Sequence, residues 1–113
     1  MALAAVEMTP SIAYIYDHLD DQISVETLAG IENYNVTYYN EWFKNRTGTT
    51  PNSYVRNLRI NKAKNMLEET DLPIIDIAFS VGYSSNAAFT RAFRNHTGIT
   101  PFEYKTNGLR YHG

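Results

Sequence analysis

The segment Trp42-Phe-Lys-Asn-Arg-Thr-Gly-Thr-Thr-Pro-Asn-Ser-Tyr-Val55 returns 50 residues later as Ala92-Phe-Arg-Asn-His-Thr-Gly-Ile-Thr-Pro-Phe-Glu-Tyr-Lys105. Seven of the fourteen columns are identical, and Lys44 and Arg94 keep their charge in another column. A period of this length can hold one small helical unit. The duplication therefore predicts two related helical units in tandem.

Both copies contain Thr-Gly-x-Thr-Pro, which is typical of one helix ending and another beginning. Gly48 and Gly98 suit the left-handed conformation that closes a helix, so the segments before them are predicted to be helical. Thr50 and Thr100 suit the N-cap of the next helix, and a proline follows each where its missing N–H costs nothing. In the second copy, Glu103 completes a capping box with Thr100.

A shorter predicted helix and a tight turn precede each copy. Leu28-Ala29 lie on this helix in the first unit and Ile77-Ala78 in the second, and the small alanine permits close packing. Asn33 and Gly82 are the turn residues best able to hold a positive φ. Both units are therefore predicted to be helix-turn-helix motifs.

The rest of the chain also has helical periodicity. Apolar residues recur along residues 51–70 at Tyr54, Val55, Leu58, Ala63 and Leu67. A first amphipathic helix carries Ile12, Ile15, Tyr16 and Leu19. The fold class is therefore predicted as all-α, with about seven helices in two helix-turn-helix subdomains joined by a long connecting helix.

The predicted domain covers residues 10–113, and residues 1–9 are predicted to be a linker or cloning remnant. Its parts are a first helix-turn-helix at about 24–47, a connecting helix at about 51–70, a second helix-turn-helix at about 73–97 and a final helix at about 101–107. With no cysteine, no glycine-rich loop and no nucleophile beside a histidine and an acid, the sequence predicts no enzyme, no metal site and no cofactor. No apolar run approaches bilayer length, and a cytoplasmic location is expected.

The charge is segregated along the chain, although the formal net charge is −2 and the pI near 5.9. Residues 1–43 hold seven acids and no Lys or Arg, whereas residues 44–64 hold six Lys or Arg and no acid. A local positive potential attracts phosphate whatever the net charge. Solvated helix faces paired with neighbouring acids are the alternative interpretation, and for Lys62 and Lys64 the two are evenly matched.

In these motifs the sequence resembles the DNA-binding domain of the AraC/XylS family of bacterial transcription regulators, over about residues 11–106. The first unit and connecting helix match at Leu28-Ala29, Phe43-Lys44, Thr47-Gly48, Pro51, Tyr54, Leu58-Arg59 and Ala63. The second unit matches at Ile74-x-x-Ile77-Ala78-x-x-Val81-Gly82-Tyr83-Ser84-Ser85 and Phe89-x-Arg91-x-Phe93-Arg94-x-x-x-Gly98-x-x-Pro101-x-x-Tyr104.

The resemblance implies a transcription regulator that binds double-stranded promoter DNA sequence-specifically. Its two second helices would enter successive major grooves, about 34 Å apart, at a spacing set by the rigid connecting helix. The resemblance also allows RNA polymerase, and a separate sensor or dimerisation domain, as further partners. An excised C-terminal output domain is favoured over a stand-alone regulator.

The outward faces of the two second helices supply the candidate DNA contacts. The predicted base contacts are Thr37, Asn40, Glu41, Asn86, Ala87, Thr90 and Arg91. The predicted phosphate contacts are Lys44, Arg46, Ser85, Arg94 and His96. Arg91 is the strongest base reader, because a guanidinium can bridge guanine O6 and N7 and no acid lies three or four residues away to hold it in a surface salt bridge. Asn40 suits adenine and Ala87 a thymine methyl.

Glu41 departs from the family pattern, which usually has arginine in that column. A carboxylate can accept from cytosine N4, but it also repels phosphate, and a structural pairing with Lys44 at i+3 is favoured over base readout. The alternative function is therefore a helical protein-interaction module with weakened DNA binding. It would dock on polymerase or a sensor domain through the acidic N-terminal third.

The aromatic residues and histidines are assigned mainly to structure. Their spacing places Trp42, Tyr54 and Tyr104 on buried faces, while Tyr38 flanks the reading surface. The histidines, His18, His96 and His112, lack metal-ligand spacing. His96 is expected near the surface, where it gains charge as pH falls and helps to bind phosphate.

Overall fold

In a computed structural model, residues 8–112 are described, with side chains described as far as Asn107. Over this range the chain forms seven α-helices and no strand, so the predicted all-α fold is confirmed. The helices are α1 (Pro10–Asp17), α2 (Val25–Ile31), α3 (Val36–Thr47), α4 (Pro51–Glu69), α5 (Ile74–Ser80), α6 (Asn86–Thr97) and α7 (Pro101–His112). Most of the predicted remnant, residues 1–7, lies outside the described part of the chain. The side chain of His112, beyond Asn107, also lies outside it.

Side-chain caps determine where the helices of both motifs begin. The Ser24 hydroxyl accepts from the Thr27 N–H at 3.1 Å and caps α2. Asn35 caps α3 through the Tyr38 N–H at 2.8 Å, and Ser85 caps α6 through the Ala88 N–H at 3.1 Å. Each cap satisfies a backbone donor that the first helical turn leaves unpaired.

The turn that ends each second helix is built the same way in both copies. Gly48 and Gly98 adopt φ of +86° and +89°, which confirms the predicted left-handed closure. The Thr47 hydroxyl donates to the Phe43 carbonyl at 2.8 Å, and the Thr97 hydroxyl donates to the Phe93 carbonyl at the same distance. The predicted capping box is present as well, because Thr100 and Glu103 exchange hydrogen bonds at 2.9 and 3.1 Å.

The chain divides into two compact units, with the boundary between Val55 and Arg56 inside α4. In unit 1, which ends at Val55, α1 packs on α2 and α2 on α3. Its buried apolar residues are Ile12, Ile15, Leu19, Leu28, Ala29, Tyr39, Phe43 and Val55. The turn before α3 holds Asn33 at φ +64°, as predicted.

A polar network closes the α1 end of unit 1. The buried Ser11 hydroxyl accepts from the Tyr39 hydroxyl at 3.0 Å, and the Ser11 N–H donates to the Glu32 carboxylate at 2.9 Å. Partial burial acts to raise the pKa of Glu32, but hydrogen bonds with Ser11 and Thr9 and the charge of Arg46 together outweigh it and hold this pKa below its usual value. The network attaches α1 to both helices of the first motif.

Unit 2 begins at Arg56, and in it α5 packs on α6 and α6 on α7. Its buried core consists of Ile60, Ala63, Leu67, Ile77, Ala78, Val81, Phe89 and Phe93. Gly82 holds the turn before α6 at φ +98°, as predicted. The turn between α5 and α6 is one residue longer than the turn between α2 and α3. In it the Tyr83 N–H bonds to the Ala78 carbonyl, and the N-cap of α6 follows at Ser85. The final helix continues to His112, past the predicted end at about residue 107.

The predicted burial of three aromatic side chains is only partly correct, because Trp42, Tyr54 and Tyr104 are half-buried. For the two tyrosines the reason is the hydroxyl group, which has a partner at the surface. The Tyr54 hydroxyl lies 3.1 Å from the hydroxyl of Tyr16, which is itself 46% exposed although it was assigned to the apolar side of α1. The Tyr104 hydroxyl donates to the Glu68 carboxylate. Burial, together with this carboxylate, raises the pKa of Tyr104 to about 12.

We expect Gly48→Ala to destabilise the protein by about 1–2 kcal/mol, because an L-residue is strained in the left-handed conformation. No atom lies within 4 Å of the added Cβ, so the loss would come from the backbone alone. The matched control is Gly30→Ala inside α2, where the added Cβ also meets no atom and a gain of about 0.5–1 kcal/mol is expected. Urea unfolding measures both, and equal shifts for the two variants would refute this account.

Candidate nucleic-acid interface

The reading face of α6 lies opposite a fully buried aromatic pair. Phe89 and Phe93 are 0% exposed with ring centroids 5.7 Å apart, so they fix the rotation of the helix. Four of the predicted base contacts face outward on the other side; Asn86, Ala87 and Arg91 are exposed, and Thr90 is partly exposed. This combination presents a guanidinium, an amide, a hydroxyl and a methyl group to a ligand, which are the groups that distinguish base pairs in a major groove.

The reading face of α3 is oriented in the same way. Tyr39 and Phe43 are 0% exposed and anchor the helix in unit 1. The predicted residues Thr37, Asn40, Glu41 and Lys44 are all exposed. Burial raises the pKa of Tyr39, whose hydroxyl is already bonded to Ser11, so this tyrosine acts as an anchor. The pairing of Glu41 with Lys44 stays a prediction.

The predicted phosphate contacts lie at the ends of the two reading helices. Lys44 and Arg46 are exposed in the last turn of α3, and Arg94 and His96 are exposed in the last turn of α6. The Arg46 guanidinium lies 4.9 Å from the centre of the Trp42 ring, a cation–π contact that restrains its position. Ser85 differs from the others, because its hydroxyl already caps α6, and its phosphate contact stays a prediction.

A groove runs along one flank of each reading helix, and the two grooves use the same columns of the repeat. In unit 2 the basic groove of about 450 Å³ is lined by Arg56, Ala88, Arg91, Ala92, Asn95 and His96. In unit 1 the aromatic groove of about 380 Å³ is lined by Tyr38, Glu41, Trp42, Asn45 and Arg46. Apart from Arg56, every lining residue of the first groove lies 50 positions after one of the second. The grooves thus use equivalent positions but differ in chemistry, since the aromatic groove contains an acid beside Arg46 and the basic groove contains two arginines and no acid.

Arg56 is a candidate residue that the repeat could not reveal. It lies on α4, outside the duplicated segment, so no second copy marked it, and only the folded unit brings it beside Arg91. Burial raises the pKa of Tyr83, while the positive charges of Arg59 and Arg56 oppose that rise. The Arg59 guanidinium lies 5.7 Å from the centre of the Tyr83 ring. Positive charge is therefore concentrated beside α6.

No described helix is long and apolar enough to cross a membrane. Among the side chains of residues 8–107, no group of three or more histidines or carboxylates could hold a metal ion. His18 has a local role, since its ring stacks on Tyr14 at 3.9 Å and its Nδ1 lies 3.0 Å from the Tyr14 carbonyl.

Comparison with known proteins places these features among transcription regulators. A family profile described as a helix-turn-helix domain matches residues 28–107. YobQ of Bacillus subtilis strain 168, described as an uncharacterized HTH-type transcriptional regulator, is 39% identical over 95 residues, covering 84% of this chain and 39% of YobQ. The regulatory protein SoxS of Escherichia coli strain K12 is 34% identical over 94 residues, covering 83% of this chain and 88% of SoxS.

A solved structure is similar in fold to this chain. The DNA-binding domain of AdpA, a global transcriptional factor crystallised in complex with a target DNA, superposes with a TM-score of 0.81 and 28% sequence identity. The match covers 86% of this chain and 87% of that one. This chain therefore spans nearly all of the AdpA domain and of SoxS, but only about two fifths of the length of YobQ.

Proposed function

The chain belongs to the AraC/XylS family of helix-turn-helix transcription regulators, and we propose that it regulates transcription by binding double-stranded promoter DNA sequence-specifically. Helices α3 and α6 would enter successive major grooves as the two reading helices. The protein then needs no catalytic step and no cofactor, because its output is occupancy of a promoter.

One observation carries this proposal: two helices with matching N-terminal and C-terminal caps each bury an aromatic anchor and expose polar side chains on the opposite face. Both begin at a side-chain cap and end at a left-handed glycine. Phe43 and Phe93 occupy the same column and are both 0% exposed. A helix held in this way presents its outer face rigidly, which direct readout of base edges requires.

Selection from a randomised duplex pool tests the proposal, followed by affinity of the selected site and a scrambled duplex at two salt concentrations. We expect two short conserved blocks about one helical turn apart, because each reading helix contributes one block. We also expect affinity to fall steeply as salt rises, because counterions are released from the phosphates. If no sequence is enriched and scrambled DNA binds only at background, the proposal fails.

Glu41→Ala is expected to leave the affinity for the selected duplex unchanged or to increase it. The exposed carboxylate repels phosphate, and its removal costs no buried contact. Glu41→Gln should behave alike, since it removes only the charge, whereas Asn40→Ala should weaken binding by about 1–3 kcal/mol if Asn40 contacts adenine. Titration of a labelled duplex measures all three, and a large loss for Glu41→Ala would show that the carboxylate reads a base.

A protein-interaction module is the second candidate function, favoured by the aromatic groove of unit 1. Tyr38 is 52% exposed there, beside Trp42 and the acidic Glu41. Exposed aromatic side chains are enriched in protein interfaces. An apolar interface would be far less sensitive to salt than phosphate binding, so the salt series separates the two functions.

The wider partners belong to the same proposal. RNA polymerase is the partner through which promoter binding would change transcription, and a separate sensor or dimerisation domain would supply the signal. We also propose that the protein acts in the cytoplasm, where bacterial promoters are located, and its similarity to bacterial transcription regulators supports this. Co-purification with polymerase on promoter DNA tests the first of these partners.

A further inference from the structure

We infer that the basic groove of unit 2 is a binding site for one DNA backbone phosphate, with Arg56 as its principal ligand beside His96 and Asn95. This inference rests on the proposed function and adds a contact residue outside the duplicated segment. It also assigns the groove to a single class of ligand, the phosphodiester of a duplex.

The shape of the groove allows a backbone to approach closely. Its walls come from two helices, α4 through Arg56 and α6 through the remaining lining residues. Ala88 and Ala92 contribute only methyl groups, so the side of α6 is open at these two positions. A phosphate can therefore reach the surrounding donors without displacing a large side chain.

The chemistry of the groove suits an anion. Three of its six lining residues are Arg56, Arg91 and His96, and none is an acid. A guanidinium carries five N–H donors in a fixed fork that matches phosphate oxygens. Arg56 also has an interaction within the described structure, and five donors leave it able to keep that partner while donating to a phosphate.

The position of the groove relates it to base reading. On α6 the groove residues follow one another at helical spacing along the flank, and Arg91 belongs both to the groove and to the reading face. A major groove is bordered by phosphates on each side of the base edges. With Arg91 against a guanine, the flank that carries Arg56 would therefore lie against the bordering backbone.

Unit 1 serves as an internal comparison, because the same columns carry different chemistry. Tyr38 and Trp42 replace the two alanines, and Glu41 replaces Arg91. The Tyr34 ring packs edge-on against both aromatic rings, at 4.7 Å from Tyr38 and 5.5 Å from Trp42. Aromatic rings occupy this flank, and its one arginine, Arg46, is accompanied by the acidic Glu41. The basic groove of unit 2 has no acid in its lining, so we assign this additional phosphate site to unit 2.

The test compares Arg56→Gln with Lys62→Gln in the full chain. Lys62 is an exposed cation on the same helix that does not line the groove, so it controls for loss of one positive charge. For Arg56→Gln we expect roughly three- to tenfold weaker binding to the selected and the scrambled duplex alike, and a slope of log affinity against log salt that is smaller by about 0.9. For Lys62→Gln we expect neither change.

A second measurement needs no protein variant. Single methylphosphonate substitutions, which remove one phosphate charge, are scanned across the selected duplex. One position beside the block read by unit 2 should weaken wild-type binding and have no further effect on Arg56→Gln. Equal losses for the two protein variants, or additive effects of Arg56→Gln at every methylphosphonate, would overturn the inference while leaving DNA binding intact. Failure of the wild-type chain to bind any duplex would overturn the proposed function as well.

Discussion

Phe93→Ala is expected to destabilise unit 2 by about 3–5 kcal/mol, the largest effect of any substitution considered for this protein. The Phe93 ring is 0% exposed and packs between Phe89 at 5.7 Å and Tyr104 at 5.5 Å, centroid to centroid. Removing the ring leaves a cavity among side chains from α6 and α7 that cannot all close around it. Because a small unit has only about 5–15 kcal/mol of total stability, much of it would be lost.

Chemical denaturation followed by circular dichroism measures this loss. The control is Phe102→Ala on α7, which removes the same ring from a side chain that is 66% exposed and should change stability by less than about 0.5 kcal/mol. A loss below about 1 kcal/mol for Phe93→Ala would mean that the ring is not an anchor. The orientation of the reading face would then need another explanation.

The helix boundaries could be predicted from sequence because local residues encode them. Gly48 and Gly98 tolerate a positive φ that other residues resist, and the cap at Ser24 needs only a side chain three positions from its partner. The duplication provided this information twice, because the glycine signal occurs at the same column in both copies. Each turn likewise depends on one residue that can hold a positive φ, Asn33 in unit 1 and Gly82 in unit 2.

The extent of burial could not be predicted in the same way. Periodicity identifies the side of a helix that faces the core, but the depth of each side chain depends on neighbours that are distant in sequence. Tyr54 stays half-buried because its hydroxyl meets Tyr16, and Ile60 is fully buried in α4 although it fell outside the predicted stripe. Arg56 shows the same limit for function, because only tertiary structure places it in a groove with Arg91.

Arg91→Ala is expected to weaken binding to the selected duplex by about 1–3 kcal/mol, or roughly 5- to 150-fold in the dissociation constant. Arg91 is exposed on α6, whose buried side is fixed by the two phenylalanines, so its guanidinium can be directed at guanine O6 and N7. A base contact contributes to the selected sequence and little to others. Binding to scrambled DNA should therefore change much less, and specificity should relax at one position of the site.

Arg94→Ala is the matched control, since it removes the same group from an exposed position three residues further along α6. If Arg94 contacts phosphate, its loss should weaken binding to both duplexes equally and reduce the salt slope by about 1. Competition titrations against both duplexes at two salt concentrations measure both variants. Equal loss on the two duplexes for Arg91→Ala would make Arg91 a phosphate contact, and sequence readout by unit 2 would then have to come from Asn86, Ala87 and Thr90.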